Sequence, residues 1–126
     1  MQMDYVATAD APKAIGPYSQ AVKANGLVFT SGQIALDPAT GNLVKGTFEE
    51  QVHRVFRNLE AVLKEAGSSF DRVLKATVYL SDMANFQTLN GIYAEYFGDH
   101  KPARTTIQAS GLPKGGAVEI DLIALG

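Results

Sequence analysis

The chain has 126 residues, 46% of them apolar, no cysteine and a formal net charge of −2. That length fits one domain, residues 1–126, with a core of its own. The composition excludes disulfides, thiolate catalysis and cysteine-held zinc or iron–sulfur sites, and its scattered lysines and arginines leave no footprint for nucleic acid. No apolar run approaches the roughly 18 residues of a membrane span. No basic region followed by an apolar stretch opens the chain, so no secretory leader is expected. A cytoplasmic location is compatible with all of this.

Residues 4–8 and 18–24 read as short strands around the turn-prone pairs Ala11-Pro12 and Gly16-Pro17. Asn25-Gly26 is a strong two-residue hairpin signal joining Ser19–Lys23 to Leu27–Ser31. Asp37-Pro38 and Gly41-Asn42 mark an exposed loop or small hairpin. Thr47-x-x-Glu50 is a capping-box pattern that opens a helix. Val52, Val55, Phe56, Leu59, Val62, Leu63 and Ala66 then form one apolar stripe at helical spacing, stopped by Gly67. His53, Arg54 and Arg57 fall on what reads as its solvated face.

Residues 73–80 alternate as a strand, with Leu74, Ala76, Val78 and Leu80 on the inward phase. Ser81-Asp82 offers N-cap chemistry for a second helix carrying Phe86, Leu89, Tyr93, Tyr96 and Phe97, ended by Gly98. Strands over about 104–110 and 117–125 complete the chain. The order β-β-α-β-α-β-β predicts an α+β sandwich with two helices on one sheet face. On the last strand, Val118, Ile120, Leu122 and Ala124 form the phase that should meet the helices. The other phase carries Ala117, Glu119, Asp121 and Ile123, and the preceding strand is expected to add Arg104, Thr106, Gln108 and Ser110 to that same face. A face so mixed, short-chained and poor in lysine suits a subunit interface with sites in it.

Arg104 and Glu119 are the chemistry-bearing pair. Each sits among apolar and small residues, where a charge is costly without a partner or a task. Arg104 reads equally as a bidentate anchor for a substrate carboxylate and as one half of an ion pair with Glu119 or Asp121. Glu119 reads as a general base tuned by burial or as one more polar residue on a half-buried strand. Asn90, on the inward stripe of the second helix, must find hydrogen-bond partners, either in a loop or on a ligand. Tyr18 caps a pocket or simply packs. Ser31-Gly32 ends a strand where a ligand could approach the backbone, or is a plain turn. His53 and His100 lack a metal-like partner spacing. The glycine-rich run 111–116 lacks the Gly-Lys-Ser/Thr order of a phosphate loop.

Longer blocks go further. Ala14-Ile-Gly-Pro-Tyr-Ser-Gln-Ala21 and Phe29-Thr-Ser-Gly-Gln-Ile34 are followed by Asp82, Phe86, Asn90, Tyr93 and Phe97. Then come Pro102-Ala-Arg104, Leu112-Pro-Lys114 and Val118-Glu-Ile120. Over essentially its whole length the chain resembles the Rid family, the reactive intermediate deaminases. The resemblance implies a chorismate-mutase-like α+β fold and a homotrimer with clefts between subunits. It also implies cofactor-free and metal-free hydrolysis of 2-imino acids to 2-oxo acids and ammonia. It implies Arg104 as carboxylate anchor, Glu119 as the group that positions and activates water, and Tyr18, Ser31, Gly32, Asn90 and Thr106 as pocket lining. The family often has cysteine where this chain has Thr106. Two other readings compete: a non-catalytic trimer that senses a 2-oxo acid, and a ribonuclease or translation-inhibitor role, for which the acidic balance offers little.

Overall fold

The computed structural model describes residues 2–126. Three strands precede the first helix, one more than the expected order: β1 (Asp4–Val6), β2 (Ala21–Ala24) and β3 (Leu27–Thr30). Then follow α1 (Phe48–Glu65), β4 (Val73–Leu80), α2 (Phe86–Phe97), β5 (Ala103–Gln108) and β6 (Val118–Leu125). They build one six-stranded sheet in the order β1-β2-β3-β6-β4-β5. Every pairing is antiparallel except β4 with β5. That parallel pair needs a crossover, and α2 supplies it.

Local chemistry sets the connections. Asn25 and Gly26 both take positive φ, 54° and 75°, as a two-residue turn matched to strand twist requires. Asp37 and Gly41-Asn42 close the small hairpin, with Gly41 N–H donating to the Asp37 carbonyl at 2.7 Å. Thr47 and Glu50 form the reciprocal capping box of α1. At its other end Ser68 N–H donates to Leu63 O and Gly67 N–H to Lys64 O, the paired bonds of a Schellman stop.

The helices cover one face of the sheet. Val52, Val55, Phe56, Leu59 and Val62 of α1 are fully buried against Val28, Val78, Ile120 and Leu122 of the strands. Phe56 stacks on Tyr96 of α2 at 4.5 Å and meets Tyr93 and Phe97 edge-on. Truncating Phe56 to alanine would cost about 3–5 kcal/mol. Half-buried His53 joins this layer from the side, its Nδ1 2.7 Å from the Tyr96 hydroxyl. It is therefore not part of a solvated face.

Two expectations about strand phase are corrected. Leu74 is exposed and Val73 is buried, because a register shift between Val73 and Lys75 turns the start of β4 over. The β6 phases are as read, but β5 has the opposite phase. Arg104 pairs with Ala76, Thr106 with Val78 and Gln108 with Leu80, all on the helix side. Thr105 and Ile107 occupy the uncovered side instead, next to Thr77 and Tyr79. As an edge strand beyond the core, β5 has polar residues in both phases, so alternation alone does not orient it. The uncovered face carries Phe29, Ile107, Tyr79, Glu119 and Asp121.

Candidate functional site

The residues expected to form one site fall into two groups on opposite faces of the sheet. Glu119 pairs with Tyr79 on the uncovered face, whereas Arg104 pairs with Ala76 beneath α2. This rules out the ion pair between them, and it equally rules out a single cleft within one chain that holds both.

The first group surrounds Glu119. Residues 31–33 are held beside β6 by a reciprocal pair of backbone hydrogen bonds, Gln33 N–H to Ile120 O at 2.9 Å and Ile120 N–H to Gln33 O at 3.1 Å. Leu122 N–H donates to Thr30 Oγ1 at 2.9 Å. This docking brings Gly32 directly against the Glu119 carboxylate: a Cβ built on Gly32 would lie 2.9 Å from Glu119 Cδ and closer still to Oε2. Only glycine leaves that carboxylate its place. Tyr18, half exposed, lines the same small cleft of about 90 Å³ with Glu119, Gly32, Lys13 and Lys114. Ser31 does not line it. Its hydroxyl donates to Ser19 O at 2.6 Å and its N–H to Gln20 O at 2.9 Å, so it braces the loop.

Burial first, then the Asp121 charge two residues along the same face, push the Glu119 carboxyl above the ordinary carboxylate range. Burial raises Asp121 as well, against the opposing influence of Tyr79, Thr77 and Lys75. A carboxylate that holds its proton more tightly than usual, yet touches a cleft, is suited to taking and returning a proton.

The second group surrounds Arg104. Its guanidinium carbon lies 4.8 Å from the Tyr93 ring centroid and 5.5 Å from that of Phe86. Asn90, Tyr93, Lys101, Pro102 and Arg104 line a cleft of about 260 Å³. Three polar atoms on this side are buried without a partner: Asn90 Oδ1, the Tyr93 hydroxyl and Thr106 Oγ1. The Asn90 side-chain oxygen therefore holds no loop in place. Chemically the group offers a planar cation over two aromatic rings, with an N–H fork suited to a carboxylate.

Sequence reasoning passed over several residues that shape these groups. Phe86 and Tyr93 read only as core stripe, although their spacing of seven, two helical turns, stacks them on one side of α2. Gln20 is buried and ties down the segment before Tyr18, with Nε2 donating to Pro12 O at 2.8 Å and Oε1 accepting from Thr8 N–H at 2.7 Å. Asn58 is fully buried in the α1 stripe, donating to Leu36 O at 2.9 Å and Ile34 O at 3.3 Å. It positions the segment that follows Gly32. A polar residue interrupting an apolar stripe was its signal.

The family model described as Endoribonuclease L-PSP matches residues 8–126. The chain belongs to this family, the Rid family. The bovine protein named 2-iminobutanoate/2-iminopropanoate deaminase is 48% identical over 95% of this chain and 88% of its own length. A crystal structure of the Rid-family protein YyfA from Yersinia pestis superposes with a TM-score of 0.97, at 44% identity over 99% of this chain and all of that one. TdcF from E. coli, solved with serine bound, superposes with a TM-score of 0.92 at 36% identity, covering 98% of each chain. Among the described residues no helix is long and apolar enough to cross a membrane.

Proposed function

We propose that the chain hydrolyses 2-imino acids to 2-oxo acids and ammonia, without a cofactor, in clefts between the subunits of a cytoplasmic homotrimer. The observation that carries the reading is the division of the site. An arginine fork lies on one sheet face, and a carboxylate of raised proton affinity lies against Gly32 on the other. Each is half a catalytic centre, and a second copy bringing its Glu119 group to the first copy's Arg104 group supplies the whole. The mixed face around Phe29, Ile107 and Tyr79 suits that contact. The deaminase name of the bovine relative and the amino acid bound to TdcF fit a small carboxylate-bearing substrate.

In this reading Arg104 holds the substrate carboxylate and so fixes the adjacent C=N carbon, removing part of the entropic barrier. Tyr18, Asn90, Gly32 and the strand around Thr106 line the pocket. Glu119 takes a proton from water as its oxygen bonds to C2, then passes that proton to nitrogen. The hydroxyl proton of the resulting carbinolamine follows as the C–N bond breaks. Ammonia leaves and the 2-oxo acid remains. Acid–base assistance of this kind is worth on the order of 10²–10⁴-fold.

The deciding experiment generates 2-iminobutanoate in situ with an amino-acid dehydratase and follows semicarbazone formation. Accelerated loss of the imine, abolished by Glu119→Gln and by Arg104→Lys, is expected. No acceleration, with 2-oxobutanoate still bound, would favour a metabolite sensor. The family description favours RNA cleavage as a further reading. Against it, His53 is engaged with Tyr96 and His100 with Val73 O, on separate elements. RNA degradation lost in Arg104→Ala would revive it.

A further inference from the structure

We infer that Tyr93, with Phe86, is a positioning residue that presents the Arg104 fork to the substrate carboxylate through the faces of the two rings. The inference rests on the deaminase reading for the identity of the anion but on separate observations for the role. Arg104 rises from the edge strand among residues that cannot hold it. Its cross-strand neighbours on the same sheet face, Ala76, Val78, Leu122 and Ile120, are apolar, and Thr106 beside it on β5 has a hydroxyl oxygen with no hydrogen-bond partner. The guanidinium carbon instead lies 4.8 Å from the Tyr93 centroid and 5.5 Å from the Phe86 centroid, within the range of cation–π attraction. The cation thus lies over two ring faces, which hold it without a conventional hydrogen-bond acceptor. The five N–H donors at its edge are left for a ligand.

The hydroxyl of Tyr93 is not what holds this residue in place, because it is buried with no partner. The ring is fixed from behind, edge-on to Phe56 at 6.0 Å and against Phe97 at 4.5 Å. The aromatic core thus extends through Tyr93 to the Arg104 cation, and a long, flexible side chain loses its freedom before substrate arrives.

The test separates ring electronics from ring shape. Tyr93 is replaced by phenylalanine and then by its mono-, di- and trifluorinated analogues. 2-Oxobutanoate binding is measured by calorimetry, KM and kcat on 2-iminobutanoate by the semicarbazone assay, and the unfolding midpoint for each protein. Tyr93→Phe keeps the ring and loses only an unpartnered hydroxyl, so it is the reference for the series, with a midpoint at or above that of the wild type. Affinity should then fall stepwise with fluorination, reaching about 5-fold for the trifluorinated ring, with KM rising in parallel and kcat and the midpoint nearly constant. Phe86→Leu should weaken binding in the same direction. Equal affinity across the series in an active protein would overturn the inference alone. A wild type that neither binds 2-oxobutanoate nor hydrolyses the imine would overturn the deaminase reading, and this inference with it.

Discussion

Arg104 and Glu119 leave the same sheet in opposite directions, Arg104 toward α2 beside Ala76 and Glu119 toward the uncovered face beside Tyr79. Side chains separated by the thickness of a sheet cannot grip one substrate, so a site using both needs two copies of the chain.

That requirement predicts complementation. Arg104→Ala and Glu119→Gln should each be inactive alone. When the two are unfolded together and refolded, a statistically mixed trimer should recover about one quarter of wild-type activity, since one pairing in four joins two intact halves. Activity that stays at the level of the separate variants would place both residues' work within one chain.

The raised proton affinity of Glu119 predicts a pH profile. A base must be ionised, so kcat/KM should fall on the acid side at a pH above the ordinary carboxylate value of 4.5. Asp121 contributes to the elevation, so Asp121→Asn should move this limb to lower pH. A limb that stays in place would remove Asp121 from the account. The linked stability has a definite sign. A carboxyl that binds its proton more tightly when folded contributes stability below its unfolded pKa and loses it as pH rises through the folded value. Glu119→Gln should therefore be the more stable protein at neutral pH while being inactive, as thermal unfolding would report.

The contact between Gly32 and Glu119 predicts a narrow tolerance. Gly32→Ala adds a methyl where the carboxylate lies. The backbone there has no positive φ, so the fold should hold and the unfolding midpoint should change little. Turnover should fall on the order of 10- to 100-fold from displacement of the base. Full activity in steady-state assays would show that Glu119 works from another position.

Thr106 buries its hydroxyl oxygen without a partner. Thr106→Val removes that cost and should stabilise the chain by about 1 kcal/mol, raising the unfolding midpoint by a few degrees. If only the main chain of β5 meets the ligand, activity should persist. Destabilisation would reveal a partner for the hydroxyl in the assembled protein.

Asn58 joins α1 to the carbonyls of Ile34 and Leu36. Asn58→Leu leaves the Leu36 carbonyl without its donor, while Ile34 O keeps the Leu36 N–H at 2.8 Å, and should cost about 1–3 kcal/mol. Chemical denaturation measures this directly. A neutral result would mean that the segment after Gly32 is held by its β6 bridge alone.

The sequence by itself determined most of the elements and the family. Capping residues, a stop glycine, an Asn-Gly turn and an unbroken apolar phase on β6 act over a few residues, so α1, the hairpin and the inward face of β6 were legible. The motif blocks named the family and the residues proposed for the site. Only tertiary structure decided which way β5 faces, because an edge strand with polar residues in both phases has no internal preference until α2 packs beside it. That decision put Arg104 against Tyr93 and Phe86 and parted it from Glu119. It also settled the start of β4, where a bulge that no alternation announces exposes Leu74. Spacing along a chain records which side chains can share a face, and the packing of one element on another determines which of them do.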